Sequence, residues 1–167
     1  MATSEDNLKA AFAGESQANR TYLFFAAKAD EEGQKQIARL FRAAAEAETV
    51  HARAHFHVLK RVKSIAENLD AAIGGESYEH TTMYPEFIKV AESEGNKEAR
   101  LTFHRANEVE KIHHRLFQEA KDALESGKTI AEAHYYVCPV CGNTVLGEAP
   151  DRCPICSQPK SAFKKIE

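Results

Sequence analysis

Residues 41–51, FRAAAEAETVH, return as FHRANEVEKIH at residues 103–113. Both segments follow the pattern Phe-x-x-Ala-x-Glu-x-Glu-x-x-His, at an offset of 62 residues. The same offset aligns three further pairs: Tyr22 with Tyr84, Phe25 with Phe87, and Gly33 with Gly95. Two helices of similar amphipathicity would not need the same Glu-x-x-His at the same register. The repeat therefore favours two copies of one helix pair.

The first 127 residues are rich in Ala, Glu, Lys, Arg and Leu, and glycines divide them into segments. The pattern predicts four helices, at residues 5–31, 35–63, 76–94 and 97–126. Residues 64–75, SIAENLDAAIGG, are predicted to form a crossover with room for a short helix of its own. One longer connection among short turns is typical of an all-α, ferritin-like four-helix bundle rather than of a simple up-and-down bundle.

Acidic residues lie on the apolar stripes of all four predicted helices, at steps of three and four residues. They are Glu15 on the first helix, Glu48 with His51 on the second, Glu76 with Glu79 on the third, and Glu110 with His113 on the fourth. Burying these carboxylates without a positive charge is strongly unfavourable, and no Lys or Arg shares the stripes at that level. A lone inward Glu is more often a buried ion pair. The full set, however, matches the ligands of di-iron and di-manganese carboxylate bundles, and oxygen-rich ligation favours iron or manganese over zinc.

Three further residues near these acids have two interpretations each. Tyr22 and Tyr84 occupy matching places and are either ordinary core aromatics or hydrogen-bond partners of metal ligands. His55 lies on the stripe of the second helix without a paired Glu, which favours a hydrogen-bonded core histidine over a ligand.

The four cysteines form two Cys-x-x-Cys pairs separated by 11 residues: Cys138, Cys141, Cys153 and Cys156. This spacing predicts a tetrahedral four-sulfur metal site rather than disulfides. Gly142 follows the first pair, where a left-handed backbone would turn amides toward sulfur, and Ser157 takes the corresponding place after the second pair. The four sulfurs alone do not separate a structural zinc ribbon from iron. A redox metal site in the helices favours iron, because such a site needs an electron supply.

Charge and hydropathy argue against two classes of partner. The net charge is -3 and the pI is about 6.3, so the chain lacks the basic surface that nucleic acid or an anionic membrane requires. No run of 18 apolar residues occurs, and the N-terminal MATSEDNLKAAF carries acids where a signal peptide carries bases. We therefore expect a cytoplasmic protein that binds neither nucleic acid nor membrane.

Four motifs, GESQANRTY, AEAETVH, GESYEHTTMYPEF and NEVEKIH, together with the cysteine-rich tail, resemble the rubrerythrin family over essentially the whole chain. The resemblance implies a ferritin-like di-iron domain at residues 1–130 and a small, mostly β or loop, rubredoxin-like domain at residues 131–167. It also implies seven ligands for two irons: Glu15, Glu48, His51, Glu76, Glu79, Glu110 and His113. Glu48 and Glu110 would bridge the metals, while His51 and Glu79 would exchange places on one iron as its oxidation state changes. A third iron would bind the four cysteines, with zinc as the alternative metal.

The same resemblance implies a non-haem di-iron peroxidase that acts in oxidative-stress defence. Hydrogen peroxide would be reduced to water by electrons from NADH, which a separate reductase passes through the cysteine-bound iron. The seven helical ligands, with Tyr22 and Tyr84, would form the catalytic site. The family also implies a homodimer or higher homo-oligomer in which the tail serves the neighbouring subunit. The length of the linker Gly127–Tyr135 supports this expectation. If the tail folded straight back onto its own helices, the linker would need nearly all of its maximum reach of about 30 Å.

Two other functions stay open. A ferritin-like ferroxidase or iron-storage protein would keep the helical metal site, but the cysteine tail argues against this function. A zinc-ribbon binding module on a structural bundle would explain the tail, but the inward-facing acids and histidines argue against it.

Overall fold

The computed structural model describes residues 2–130 and 132–167. The helical part comprises α1 (Ser4–Glu31), α2 (Lys35–Val58), α3 (Ile65–Tyr78), a π-helical segment (Glu79–Met83), α4 (Tyr84–Ser93) and α5 (Lys97–Glu125). The tail contains β1 (Tyr135–Val137), β2 (Thr144–Leu146), a short 3-10 helix (Lys160–Ala162) and β3 (Lys164–Ile166). The chain divides into two compact units, of which the first ends at Lys63 and the second begins at Ser64. Within the described residues, no helix combines the length and the apolar character that crossing a bilayer demands.

The first unit is the helical hairpin of α1 and α2. Small side chains allow the two helices to approach closely. Five alanines are buried in this unit: Ala26, Ala29, Ala38, Ala45 and Ala52. Asn19 Nδ2 on α1 donates to the Ala45 carbonyl at 2.7 Å and to Thr49 Oγ1 at 2.9 Å. These contacts fix the register of the hairpin, and with it the level at which the acids of the two helices meet.

The connection between α2 and α3 is shorter than predicted: residues 64–75 do contain a helix, as expected, but this helix begins at Ile65 and runs on past residue 75, so most of the stretch is not a crossover. Ser64 caps α3, because its Oγ accepts from the Glu67 amide at 3.3 Å while the Glu67 carboxylate accepts from the Ser64 amide at 3.2 Å. This Ser-x-x-Glu capping box starts a helix that the later glycines do not interrupt. The second helix also ends earlier than predicted, at Val58. Only the six residues Leu59–Ser64 therefore connect α2 to α3.

The second unit packs α3, the π-helical segment and α4 along α5. The third helical segment, predicted at residues 76–94, begins at Ile65 and continues through α4 to Ser93. A π-helical turn accommodates one extra residue, and such turns are frequent at functional sites. Here the wide turn begins at Glu79, one of the predicted ligands.

The tail forms three short antiparallel strands in the order β2–β1–β3. Tyr136 on β1 pairs with Val145 on β2 and with Lys165 on β3. The loops that leave this sheet carry the two cysteine pairs, so the predicted small β and loop tail is confirmed. The proposed domain boundary between residues 130 and 131 involves Ala131, which lies outside the described residues, and that boundary stays a prediction.

The internal repeat is also present in three dimensions. The two helix pairs carry matching aromatic clusters: Tyr22, Phe25 and Phe41 in the first unit, and Tyr84, Phe87 and Phe103 in the second. In both clusters the two phenylalanine rings have centroids 5.5 Å apart. The tyrosine ring lies 6.2 Å from Phe41 in the first cluster and 6.3 Å from Phe103 in the second. The predicted duplication of a helix pair is therefore confirmed.

Candidate metal centres

One cluster of metal-binding side chains lies on the α1–α2 hairpin. Glu15 of α1 meets Glu48 and His51 of α2, with their potential ligand atoms within 4.8 Å of one another. His51 Nδ1 lies 2.9 Å from Glu48 Oε2 and 3.9 Å from Glu15 Oε1. The hydrogen bonds to His51 and then to Glu15 hold the pKa of Glu48 below its ordinary value. Three of the predicted ligands thus converge, two of them one turn apart on α2.

An equivalent cluster lies on the second unit. Glu76 of α3 meets Glu110 and His113 of α5, again with potential ligand atoms within 4.8 Å. His113 Nδ1 lies 2.8 Å from Glu110 Oε2 and 3.7 Å from Glu76 Oε2. These distances nearly repeat those of the first cluster, so the duplication extends to the ligands. The 62-residue offset carries Glu15 to Ser77, but the structure places Glu76 in the corresponding role.

Thr144 on β2 determines which nitrogen of His113 carries the proton. Thr144 Oγ1 donates to the Gly142 carbonyl at 3.0 Å and lies 3.0 Å from His113 Nε2. A hydroxyl has only one proton, so Nε2 supplies the hydrogen of the second contact. A neutral His113 therefore keeps its lone pair on Nδ1, the atom that faces Glu110 and Glu76. Thr144 was not predicted from the sequence, which carries no sign that β2 packs on α5.

The second cluster needs a cation. Nδ1 of a neutral His113 and the carboxylate oxygens of Glu76 and Glu110 are all acceptors, so they repel one another unless a proton or metal ion lies between them. Burial and then the neighbouring Glu110 raise the pKa of Glu76. Glu76 Oε2 is buried and has no hydrogen-bond partner in the structure, which costs about 1–3 kcal/mol if it stays unpaired. Two carboxylates and one imidazole are the donors that iron or manganese accepts in carboxylate bundles, so the residues present fit the predicted metals.

Glu79, Tyr84 and Tyr22 are the remaining predicted site residues of the helices. Glu79 is not part of either cluster in the described ranges, although burial and then the charge of Glu76 raise its pKa. Burial, followed by the charges of Glu110, Glu79 and Glu76, raises the pKa of Tyr84, so this tyrosine lies within electrostatic reach of the second cluster. Tyr22 lies in the matching aromatic cluster of the first unit. The roles of these residues at a metal stay predictions.

The four cysteine sulfurs converge on one point in the tail. Cys138, Cys141, Cys153 and Cys156 are all free thiols with sulfurs within 4.8 Å of one another. The sulfurs of Cys138 and Cys156 are 3.4 Å apart, and those of Cys141 and Cys153 are 3.5 Å apart. A tetrahedral ion with bonds of about 2.3 Å to sulfur would set its ligands about 3.8 Å apart. The cage therefore has the size that a single ion requires.

Two equivalent turns hold these sulfurs. The Gly142 amide donates to the Cys138 carbonyl at 2.9 Å, and the Ser157 amide donates to the Cys153 carbonyl at 2.8 Å. Both turn residues have a left-handed backbone, with φ of 83° at Gly142 and 63° at Ser157, as the sequence predicts. Burial opposes a charge on Cys153, yet hydrogen bonds from the backbone amides of its own turn lower the pKa of this thiol to about 7. Burial raises the pKa of Cys141 and of Cys156, so all four sulfurs become thiolates together only when a cation balances their charge.

The tail lies against α5 of its own unit. A Cβ at Gly142 would be 3.6 Å from Val109 Cγ1, and the contact between Thr144 and His113 lies one turn further along α5. This contact places the tail on its own α5, and service to a neighbouring subunit stays a prediction. His113 lies 14 residues before Gly127, about 21 Å along the helix, which the linker can span. The apolar contact with Val109 and the hydrogen bond to His113 stabilise the tail in this position on α5.

Fold and sites together define a class of protein, a helical carboxylate metalloprotein with an appended four-cysteine metal domain. The family model described as Rubrerythrin matches residues 6–121, and the model described as Rubrerythrin, rubredoxin-like domain, matches residues 136–164. The chain belongs to the rubrerythrin family.

Known relatives cover nearly the whole chain. Rubrerythrin-2 of Clostridium acetobutylicum is 40% identical over 177 aligned residues, covering 98% of this chain and 96% of that protein. Nigerythrin of Nitratidesulfovibrio vulgaris is 36% identical, covering 95% of this chain and 84% of that protein. Among solved structures, fully reduced nigerythrin aligns with a TM-score of 0.60 at 34% identity, over 99% of this chain and 88% of that one.

These similarities confirm the predicted fold class, a ferritin-like helical domain followed by a rubredoxin-like domain. They also point to an oxidoreductase. The Glu and His clusters suit a di-iron site, and the four cysteines suit a rubredoxin-like iron site, as predicted.

Proposed function

We propose that the protein is a non-haem di-iron peroxidase that reduces hydrogen peroxide to water. The observation that carries the proposal is the duplicated Glu and His cluster, which offers donors for two metals in a chain that also holds a four-cysteine site. The overall reaction is H2O2 + 2 e− + 2 H+ → 2 H2O. A bound iron pair would supply the two electrons that break the O–O bond.

Each cluster would hold one iron, and the chain's own residues would prepare the site for it. Glu15, Glu48 and His51 would hold one metal, and Glu76, Glu110 and His113 would hold the other. Glu48 and Glu110 would be the bridging ligands that the family resemblance implies. We assign Glu79 to exchange with His51 on one metal, as in the family pattern. Thr144 keeps the lone pair of His113 on Nδ1, toward the metal. Tyr84 keeps its proton because burial and the nearby carboxylates raise its pKa, so its hydroxyl can donate a hydrogen bond.

Electrons would enter through the cysteine site, from a separate reductase that is itself reduced by NADH. Gly142 follows Cys141 directly, and its carbonyl accepts from Thr144 Oγ1 at 3.0 Å. Thr144 Oγ1 in turn lies 3.0 Å from His113 Nε2. This unbroken line of contacts from a cysteine turn to a proposed iron ligand supports electron transfer from the tail to the helical site within one unit.

The proposal also covers the cellular compartment and the oligomeric state in which the protein acts. We assign it to the cytoplasm, in defence against peroxide, and to a homodimer or higher homo-oligomer. The net charge of -3 supports a protein that binds a small substrate and a redox partner rather than nucleic acid or membrane.

Metal analysis joined to a peroxidase assay tests the proposal. The anaerobically purified protein should hold about three irons per chain, two in the helices and one on the cysteines. It should also consume peroxide when NADH and a rubredoxin reductase are supplied. Zinc at the cysteines with no iron in the helices would favour the zinc-ribbon module. A closed shell that accumulates an iron core, without peroxide turnover, would favour iron storage.

A further inference from the structure

Asn143 is a buried polar residue between the first cysteine turn and β2. Its exposed fraction is 2%, the same as that of Cys153. The Asn143 carbonyl accepts from the Cys138 amide at 2.9 Å, and the Asn143 amide donates to the sulfur of Cys141. Strand β2 begins at the next residue. The backbone of Asn143 is therefore held on one side by the cysteine turn and on the other by the sheet.

The side chain of Asn143 crosses to the second cysteine turn. Its Nδ2 lies 3.7 Å from the sulfur of Cys153, close enough for a hydrogen bond to sulfur. Apart from the cysteines themselves, no other side chain in the described part of the tail makes a hydrogen bond to one of the four sulfurs. A metal-bound thiolate has no proton to donate, so the amide presents its N–H to the sulfur rather than its oxygen. Both partners are buried, which keeps water from replacing this bond.

The second turn has no equivalent of this contact. Gln158 takes the place of Asn143 there, because its carbonyl accepts from the Cys153 amide at 2.8 Å. Its amide likewise donates to the sulfur of Cys156. The Gln158 side chain is only partly buried, and within the described residues it makes no hydrogen bond to Cys138. The two turns thus agree in their backbone bonds and differ in one side-chain bond.

A hydrogen bond to sulfur does not act equally on the two oxidation states of a bound iron. The reduced site carries one more negative charge than the oxidised site, because the four thiolates are the same in both. A donor stabilises the more negative acceptor more strongly. The N–H of Asn143 therefore favours the reduced state, whereas burial of the sulfurs favours the less charged oxidised state.

We propose that Asn143, acting through the sulfur of Cys153, raises the reduction potential of iron at the four cysteines. A higher potential favours uptake of an electron from the reductase. The inference rests on the cysteine-bound iron of the proposed function but not on its peroxidase step. It can therefore be tested separately from peroxide turnover.

Spectroelectrochemical titration of the full-length, iron-loaded chain measures this potential directly. Asn143→Leu keeps the approximate volume of the side chain but removes the N–H donor. We expect the ratio of reduced to oxidised cysteine iron at a fixed potential to fall about tenfold, which lowers the midpoint potential by about 59 mV for one electron. Gln158→Leu is the matched control, because it makes the same replacement at the same place in the other turn. Its potential should equal that of the parent.

Two results of the titration would overturn the proposal. The first is a parental potential in Asn143→Leu with the absorption spectrum of the cysteine iron unchanged, because the lost bond would then have no effect on the metal. The second is an equal fall in both variants, which would assign the effect to lost polarity near the sulfurs rather than to the bond with Cys153.

Cadmium substitution tests the hydrogen bond itself in the parent sequence. Full-length, isotope-labelled protein is loaded at the cysteines with an NMR-active isotope of cadmium, and spectra are searched for a coupling between the metal and a side-chain amide proton. The coupling passes through a hydrogen bond to a metal-bound sulfur, so Asn143→Leu should remove it. Its absence from the parent would overturn the proposal, and this measurement decides if the leucine variant holds no iron. The coupling and the fall in potential, found in a protein without peroxide turnover, would sustain the role of Asn143 and reject the proposed function.

Discussion

Replacing Thr144 with valine is expected to weaken iron binding at the α3–α5 cluster. Valine keeps the branched shape of threonine but removes the oxygen that lies 3.0 Å from His113 Nε2 and donates to the Gly142 carbonyl at 3.0 Å. The imidazole would then lose the contact that keeps its lone pair on Nδ1. The tail itself should stay folded, because its four cysteines and three strands do not depend on this hydroxyl.

The size of the effect follows from the burial of His113. Partners that orient a metal-binding histidine typically change metal affinity by about 10- to 100-fold, which is about 1.4 to 2.8 kcal/mol. The side chain of His113 is 28% exposed, so water can replace part of the lost hydrogen bond. We therefore expect the lower half of that range, a loss of roughly 10- to 30-fold in affinity for ferrous iron.

Anaerobic competition with a ferrous chelator measures this affinity directly. Thr144→Ser is the matched control, since it keeps the hydroxyl and should bind iron as the parent does. The absorption spectrum of the cysteine-bound iron reports in the same sample whether the tail is intact. Parental affinity in the valine variant, with that spectrum unchanged, would refute the role given to Thr144.

Three further predictions address the two metal sites and the helix cap. Glu110→Ala should abolish iron-pair binding and peroxide reduction but keep the cysteine iron, because the sites share no ligand; iron analysis and turnover check this, and unchanged turnover with two helical irons would contradict it. Cys141→Ser should keep the iron pair and one chemically reduced turnover but stop NADH-coupled activity; a parental steady-state rate would exclude the tail as the electron entry. Ser64→Ala should lower the free energy of unfolding by about 1 kcal/mol in urea, through loss of the α3 cap. Thr3→Ala at the capping box of α1 is the matched comparison, and a loss there without one at Ser64 would count against the assignment.

The repeat and the cysteine spacing predicted the Glu and His pairs on α2 and α5 and the sulfur cage, but the repeat alone points to Ser77 where Glu76 clusters, and the predicted ligand Glu79 joins neither cluster. Glu48 with His51, and Glu110 with His113, recur one turn apart, so helical periodicity alone places each pair on one face. The sulfur cage follows as directly from two Cys-x-x-Cys turns, and even the left-handed backbone at Ser157 was predictable from its place after the second pair.

Three other features were not predicted, two of them local and one that joins distant residues. Glycines at 74 and 75 suggested a break, but the capping box at Ser64 outweighs them and extends α3 through both. The π-helical turn at Glu79 shifts the phase of the helix, which a regular 3.6-residue period does not reveal. The contact of Thr144 with His113 spans 31 residues and has no periodic signature in the sequence.

The packing of the tail on its own α5 has a kinetic consequence. Donor and acceptor surfaces on one polypeptide unit meet at a fixed effective concentration, so dilution does not separate them. Electron transfer across the contact between Gly142 and Val109 would therefore be first order, with the same rate constant in a dilute sample as in a crowded cell. One gene also encodes both surfaces. A substitution on the tail therefore always meets the α5 surface of the same molecule.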